Sequence, residues 1–271
     1  GRLRVDQAVG FAGFPSQAVD DRPWRGPAPP AVGWVFAESR GTAAIEAQLQ
    51  TFSGILQVDG YRVYETLAKR RRGTNGGAIR LAHCLAHARR KFVEVHATTG
   101  SQEALGILGM IGEIYGIEAA VRGGNAERRL EARRQRSLPV MAALRDRLLA
   151  TRAAISAQSS LARACRYALD RWDGLTAFLS DGRIEVDSNV IERSMKSVAL
   201  TRKNALFAGN AEGGRTWAIL ASLIETAKLN GLDPQAWLTD VLEKIVTGRV
   251  TNDRIDALLP WRWKCAEGVA A

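Results

Sequence analysis

Residues 54–60 read Gly54-Ile-Leu-Gln-Val-Asp59-Gly60. An apolar run enters an Asp-Gly pair, the pattern of a strand that stops at a turn. We expect a buried strand over Gly54–Val58. In a parallel α/β sheet, an acid at the C-terminal end of a strand stands where such sheets keep their active sites. Asp before Gly is also a common turn residue, because its short side chain bonds nearby backbone. Both readings of Asp59 stay open at this level.

Outward from this strand, Val32–Ala37 is apolar and β-prone, and Thr42–Gln50 has helical spacing. Tyr61–Ala68 reads as helical or irregular, and Lys69–Arg72 forms a basic run into a glycine-rich turn at 73–77. Ala78–Ala82 predicts another strand, followed by a helix through Ala86–Ala97. Strands alternating with helices indicate an α/β sheet. From residue 101 the period turns helical for about 80 residues. Three segments follow: Gln102–Arg122, Ala126–Ile155 with a break near Pro139, and Leu161–Leu179. Arg128, Arg129, Arg133, Arg134 and Arg136 crowd the second, as a solvated face or a DNA-contacting one.

A short extended piece, Ile184–Val186, then leads through a polar cap, Asp187–Asn189, into a helix. That helix carries Glu192 beside Arg193 and Lys196. Asn189-Val-Ile-Glu192 has capping-box spacing, with Asn in place of the usual Ser or Thr. Arg202-Lys203-Asn204 precedes Ala205–Ala208, a short strand or turn. Gly209–Gly214 reads as a loop whose amides could hold a phosphate at a helix start. It lacks the Lys-Ser/Thr ending of a nucleotide-binding loop. Arg215–Leu229 is an apolar helix stopped by Asn230-Gly231. Asp233-Pro234 starts another helix, running to about Val246, with Asp as cap and Pro at the first position. Asp253–Leu258 is a last short helix. Residues 1–31 are rich in Gly, Ala and Pro and read as irregular, apart from a strand candidate at Arg2–Val5.

Hydrophobic residues make up 46% and charged residues 24% of the 271, so the chain can bury a sizeable core. The formal net charge of +10 favours a polyanionic partner, of which nucleic acid is the commonest. Cys84, Cys165 and Cys265 are odd in number and far apart, which points to a reducing compartment. No apolar run approaches the roughly 20 residues needed to span a bilayer. The opening Gly-Arg-Leu-Arg has neither a signal-peptide pattern nor an initiator methionine.

Asp59 and Glu192 are the candidate catalytic and metal-binding acids. Two converging carboxylates suit Mg²⁺ or Mn²⁺, which prefer oxygen ligands. Two such ions roughly 3.5–4 Å apart support phosphodiester exchange. Cys84 and His87 have Cys-x-x-His spacing. Zinc would need two more soft ligands, and although His83 and His96 are near in sequence, no second paired motif exists. Core packing or hydrogen bonding is the better reading, and no oxyanion loop supports a Cys–His nucleophile. Arg89, Arg90 and Lys91 follow on the same helix and suit phosphate contact.

Several motifs then fall in one order: Ile55-Leu-Gln-Val-Asp59-Gly-Tyr61, Cys84-Leu-Ala-His87-Ala-Arg-Arg-Lys-Phe92, Asp187-Ser-Asn-Val-Ile-Glu192-Arg193, Arg202-Lys-Asn-Ala-Leu-Phe-Ala-Gly209, Ser222-Leu-Ile-Glu-Thr-Ala-Lys-Leu-Asn-Gly231 and Leu258-Leu-Pro-Trp261. Together they closely resemble the transposases of the insertion-sequence-66 family, over roughly residues 20–263. The resemblance implies an RNase H-like core of the DDE type, with three acids that bind divalent metal, cleave transposon ends and join them to target DNA. It matches Asp59 to the second acid and Glu192 to the third. It implies a double-stranded DNA partner, for which Arg89, Arg90, Lys91, Arg193, Lys196, Arg202 and Lys203 are the candidate contacts. A homo-oligomer acting in the bacterial cytoplasm, at the nucleoid and away from membranes, is expected.

The chain departs from the family at Ala205, where a tryptophan is usual, and at Ser188, where a second asparagine is usual. Residues 4–19 match nothing in the family, as an insertion or a shifted frame would explain. The first acid lies upstream of the Gly-Arg-Leu that opens this sequence. The expectation is therefore an N-terminally truncated, catalytically impaired copy with an incomplete core. The expected division is an irregular segment 1–31, a core of 32–98 and 183–230, a helical insertion 99–182, and a helical tail 231–271. A non-catalytic nucleic-acid-binding remnant and an RNase H-like nuclease without a joining step are the competing readings.

Overall fold

The computed structural model describes residues 8–13, 29–37, 41–50, 52–71, 78–189 and 210–263. These fall into two compact units, 41–189 and 8–13 with 29–37 and 210–263. The class is mixed α/β, mostly helical with small sheets. Among the described residues the strands form two two-stranded sheets, whereas the alternation of elements predicts one.

In the larger unit, α1 (Thr42–Gln48) precedes β3 (Gly54–Val58), α2 (Arg62–Arg71) and β4 (Ile79–His83). β3 and β4 pair in parallel, with Gly54 opposite Ile79 and Val58 opposite His83. A parallel pair needs a crossover, and α2 supplies it. The expected burial of β3 is only partly met. Val58 is buried, but Gly54 and Ile55 are exposed. The apolar run reports strand propensity, while burial depends on what covers the strand, and among the described residues β4 pairs with one edge only.

Next come α3 (Leu85–Thr99), α4 (Gln102–Ala120), α5 (Ala126–Ala132), a π-helical turn (Arg133–Ser137), α6 (Leu138–Ala154) and α7 (Ser160–Leu169). The buried face of α4 is Ala104, Ile107, Ile111 and Ile114, spaced three and four apart, and ends on the carboxylate of Glu118. Each fully buried isoleucine there contributes about 1.5–3 kcal/mol. α3 packs on α4, α4 on α6, α6 on α7, and α7 back on α3. The four helices thus close around one core that includes Phe92, Ile107, Leu144 and Cys165. The break expected near Pro139 is the π turn just before it. Proline has no N–H and crowds the carbonyl four residues back, and a widened turn accommodates both effects.

The arginines of this stretch divide. Arg128, Arg134 and Arg136 are exposed, but Arg129 and Arg133 are buried, against the expectation of one solvated or DNA-facing surface. Arg133, with 0% exposure, makes two 2.7 Å bonds to Glu118 and donates to the carbonyls of Phe178 and Asp181. Arg129 grips both oxygens of Glu185 at 2.7 and 2.9 Å. The predicted helix over Leu161–Leu179 is shorter. After α7 come α8 (Trp172–Leu175) and a 3₁₀ turn (Ala177–Leu179).

In the smaller unit, β1 (Ala8–Gly13) pairs antiparallel with β2 (Ala31–Phe36), from Ala8 opposite Phe36 to Gly13 opposite Ala31. The expectation of an irregular start is corrected here. Pairing with a distant strand imposes extension on a segment with no period of its own. α9 (Ala211–Leu229) begins four residues before the expected Arg215, because Asn210 caps it by accepting from Gly213 N. The loop reading fails for that reason over 211–214, and Gly209 lies outside the described residues. Gly214 is required for packing, since a Cβ there would lie 2.5 Å from Phe36 Cδ2. α10 (Pro234–Val246) starts as predicted, with Asp233 Oδ1 accepting from Gln235 N and Ala236 N. A 3₁₀ helix, Asn252–Leu258, follows. The strand candidates Arg2–Val5 and Ala205–Ala208, the turn at 73–77 and Cys265 lie outside the described residues.

The edge of β2 away from β1 is met by α9. Thr226 Oγ1 accepts from Val32 N at 3.0 Å, Ser222 Oγ accepts from Trp34 N at 2.7 Å, and Asn230 Nδ2 donates to Pro30 O at 2.9 Å. Four residues of helix rise about 6 Å, close to the roughly 6.7 Å of two strand residues. Polar side chains at every fourth helix position therefore match every second strand residue. This explains physically why Ser222, Thr226 and Asn230 recur in one motif.

Two outcomes test these packings. Thr226→Val keeps the shape but leaves the Val32 amide without its partner, and should cost about 1–3 kcal/mol of unfolding free energy in urea titration. Glu118→Leu leaves Arg133 a buried unpaired charge and should cost about 3–5 kcal/mol, much of it recovered in the double variant with Arg133→Met.

Candidate metal centre

The parallel pair β3–β4 presents its strand ends side by side. Val58 sits opposite His83, and Cys84 N donates to Val58 O at 3.1 Å. Asp59 follows Val58 directly and is exposed. Its Oδ1 accepts from Tyr61 N at 3.0 Å, closing a tight turn in which Gly60 has φ +95°. The turn reading of Asp59 therefore holds. One oxygen holds the turn, and Oδ2 has no protein partner among the described residues.

Behind this turn stands a charged cluster. Arg171 Nη2 lies 2.7 Å from Glu65 Oε1, and its guanidinium lies over the Tyr167 ring at 4.3 Å. Tyr167 Oη donates to Asp59 O at 3.3 Å, and Arg171 Nη2 points to Gly60 O at 3.5 Å. His83 is 9% exposed, and neither ring nitrogen has a hydrogen bond. Its Nε2 is 3.9 Å from Glu65 Oε1, and its ring packs on Gly174, where a Cβ would fall 2.0 Å from Nδ1. Burial lowers the His83 pKa below its ordinary 6.5, Arg171 lowers it further, and Glu65 and Asp59 oppose them. Burial, with Asp59 nearby, raises the Tyr64 hydroxyl above its ordinary value. Sequence reading missed Glu65, His83, Tyr167 and Arg171 as a group. Tyr167 and Arg171 stand more than a hundred residues after Asp59, and no local pattern encodes such a meeting.

A second cluster forms where the segment before Asn189 crosses the same strand ends. Gln57 Nε2 donates to Glu185 O at 2.9 Å, and Leu85 N donates to Val186 O at 3.0 Å. Ser188 N meets Cys84 Sγ at 3.3 Å. The predicted extended piece Ile184–Val186 is thus hydrogen-bonded to both strand ends, though as a bend without strand pairing. Asp187 accepts from Asn189 N at 3.0 Å and from Asn189 Nδ2 at 2.6 Å, so the start of the next helix is held by Asp187. Cys84 is buried, which pushes its thiol pKa up. Hydrogen bonds from His87 and Ser188 outweigh that, and the net value falls below the ordinary one. Tyr115 lies close by, and burial followed by the Asp187 carboxylate raises its pKa strongly. Cys84 and His87 therefore bind neighbouring groups, as the spacing argument favours.

Glu192, Arg193, Lys196, Arg202 and Lys203 lie outside the described residues. Arg89, Arg90 and Lys91 are exposed on α3, with Lys91 3.5 Å from Glu94. Among the described residues no three His, Cys, Asp or Glu side chains cluster as a metal site. Asp59 Oδ2 is an exposed carboxylate oxygen with no protein partner among the described residues. No described helix is long and apolar enough to cross a membrane.

Comparison with known proteins decides the family. Residues 16–216 match the model of the Transposase IS66 family, and residues 222–261 match the IS66 C-terminal element. The chain belongs to the IS66 transposase family. Three uncharacterized proteins of Sinorhizobium fredii resemble it. Protein y4jD is 60% identical over 249 residues, covering 92% of this chain and 49% of its own length. Protein y4qI is 44% identical over 248 residues, covering 91% and 46%, and y4hP is 38% identical over 259 residues, covering 91% and 46%. The chain spans about half the length of these relatives. No solved structure matches it.

The pH dependence of stability tests the environment of His83. Well above 6.5 the ring is neutral in both the folded and unfolded states, and full stability is present. As pH falls, the unfolded chain takes up the proton first, so stability drops until the folded ring also protonates. His83→Gln should flatten the decline in urea midpoint between about pH 7 and pH 5 relative to the parent chain.

Proposed function

We propose that this chain carries part of the catalytic apparatus of a DNA transposase, with Asp59 and Glu192 as two acids of a DDE-type centre. Family membership supports this reading. The observation that carries it in the structure is Asp59, whose carboxylate stands exposed at the C-terminal end of a parallel strand, with one oxygen uncommitted among the described residues. Glu192 follows three residues after Asn189, which Asp187 binds.

The core is RNase H-like in this reading, built from 32–98 and 183–230, with 99–182 as a helical insertion and 231–271 as a helical tail. Mg²⁺ or Mn²⁺ would activate the attacking oxygen and stabilise the leaving one. Asp59 would hold that cation through its uncommitted oxygen. The net charge of +10 suits a double-stranded DNA partner. Exposed Arg89, Arg90 and Lys91, together with Arg193, Lys196, Arg202 and Lys203, would contact its phosphates. The substrates would be transposon ends and a target duplex, handled by a homo-oligomer in the bacterial cytoplasm. Asp59 and Glu192 are the two acids matched in this chain, which is expected to bind the cation through them.

Mn²⁺ titration by calorimetry or electron paramagnetic resonance tests the reading. Asp59→Asn and Glu192→Gln should each weaken Mn²⁺ binding by about 10-fold or more, with DNA binding retained. Unchanged Mn²⁺ binding in both variants, with DNA binding intact, would favour a non-catalytic nucleic-acid-binding protein.

A further inference from the structure

We infer that the helical segment positions the candidate acid, through Tyr167 on α7 and Arg171 just beyond it, which clamp the Asp59–Gly60 turn from behind. The inference rests on the reading of Asp59 as a metal ligand. Three independent features meet at this turn. First, Tyr167 Oη and Arg171 Nη2 reach the carbonyls of Asp59 and Gly60 at 3.3 and 3.5 Å. These contacts are long, and neither would fix the turn alone.

Second, the two side chains are themselves held. Arg171 is 13% exposed, stacks over the Tyr167 ring at 4.3 Å, and is tied at 2.7 Å to Glu65 of α2. A partly desolvated guanidinium over an aromatic face is attracted by the ring's quadrupole, which fixes both groups. The clamp thus joins α2, which follows the turn in sequence, to the end of α7.

Third, the fit is close enough to exclude a side chain at Gly60. A Cβ there would lie 2.5 Å from Tyr167 Oη and 3.3 Å from Arg171 Nε. Gly60 also has φ +95°, where other residues are strained. The turn and the clamp are complementary surfaces.

Such a clamp has a use. A single carboxylate on an exposed turn would swing, and metal affinity falls when ligand orientation is lost. With Asp59 Oδ1 bonded to Tyr61 N and its own carbonyl bonded from behind, Oδ2 keeps one direction. Tyr167 and Arg171 act through Asp59 and are positioning residues. In this arrangement the helices between the two acids do more than carry basic surface.

Hydrogen exchange at the Tyr61 amide and Mn²⁺ titration, on the same set of variants of the full chain, separate the clamp from the functional reading. Tyr167→Phe and Arg171→Met should speed Tyr61 exchange about 5- to 10-fold, the loss of one net hydrogen bond. They should weaken Mn²⁺ binding about 10-fold, and Tyr167→Phe should do so with little change in melting temperature. In an Asp59→Asn background neither should weaken Mn²⁺ binding further. If both variants leave exchange and Mn²⁺ binding unchanged while Asp59→Asn loses the ion, the clamp is overturned and the metal reading stands. If exchange quickens while Asp59→Asn still binds Mn²⁺ as the parent does, the clamp on the turn stands and the metal role of Asp59 is overturned.

Discussion

The larger unit depends on a buried guanidinium. Arg133 has no solvent exposure, yet it is fully charged and must find partners inside the protein. It finds Glu118 on α4 and two backbone carbonyls, of Phe178 and Asp181, near the end of the helical region. Next to it, Arg129 holds Glu185 by both oxygens. Burying such charges carries a large desolvation cost, offset only when geometry and hydrogen bonding are nearly complete. That requirement leaves few arrangements of α4, α5, the π turn and residues 178–185. A buried polar network of this kind specifies position more than it adds stability.

The consequence reaches the strand ends. Glu185 is gripped by Arg129 through its side chain, and its carbonyl accepts from Gln57 on β3. Val186 bonds Leu85, and Ser188 meets Cys84. The helices therefore deliver the chain to the C-terminal ends of β3 and β4 with its direction set. On the other side of the same ends, the α7 region braces the Asp59 turn. The contacts of the helical segment are thus made to backbone and carboxylate groups at the Asp59 turn and at residues 185–188.

Local patterns carried much of this. The Asp-Gly ending placed the end of β3 correctly, since an apolar β-prone run cannot continue through a residue at positive φ. Asp233-Pro234 and Asn230-Gly231 marked helix ends through capping and left-handed backbone, both properties of single residues. Reading went wrong where a partner far along the chain decided the outcome. Ala8–Gly13 became a strand only because β2 was there to pair with it. Asn210 started α9 through two glycines that look like loop, and Gly214 was suited to the place by the Phe36 ring. Arg129 and Arg133 sit in the same basic run as Arg128 and Arg134, and only the position of Glu118 and Glu185 separates buried from exposed.

By itself, the sequence determined the family, the parallel strand with Asp59 at its end, the succession of helices and the excess of positive charge. The family follows from the order of its motifs, and the rest from spacing, capping and composition, which act over a few residues or over the whole sum. Tertiary structure decided which charges are buried and which edge of β2 the hydroxyls of α9 would cover. It also decided that Tyr167, Arg171, Glu65 and His83 would gather behind Asp59. Each of these is a contact between groups far apart in the chain, chosen by the need to pair buried polar atoms once the helices are packed, and no local pattern records that choice.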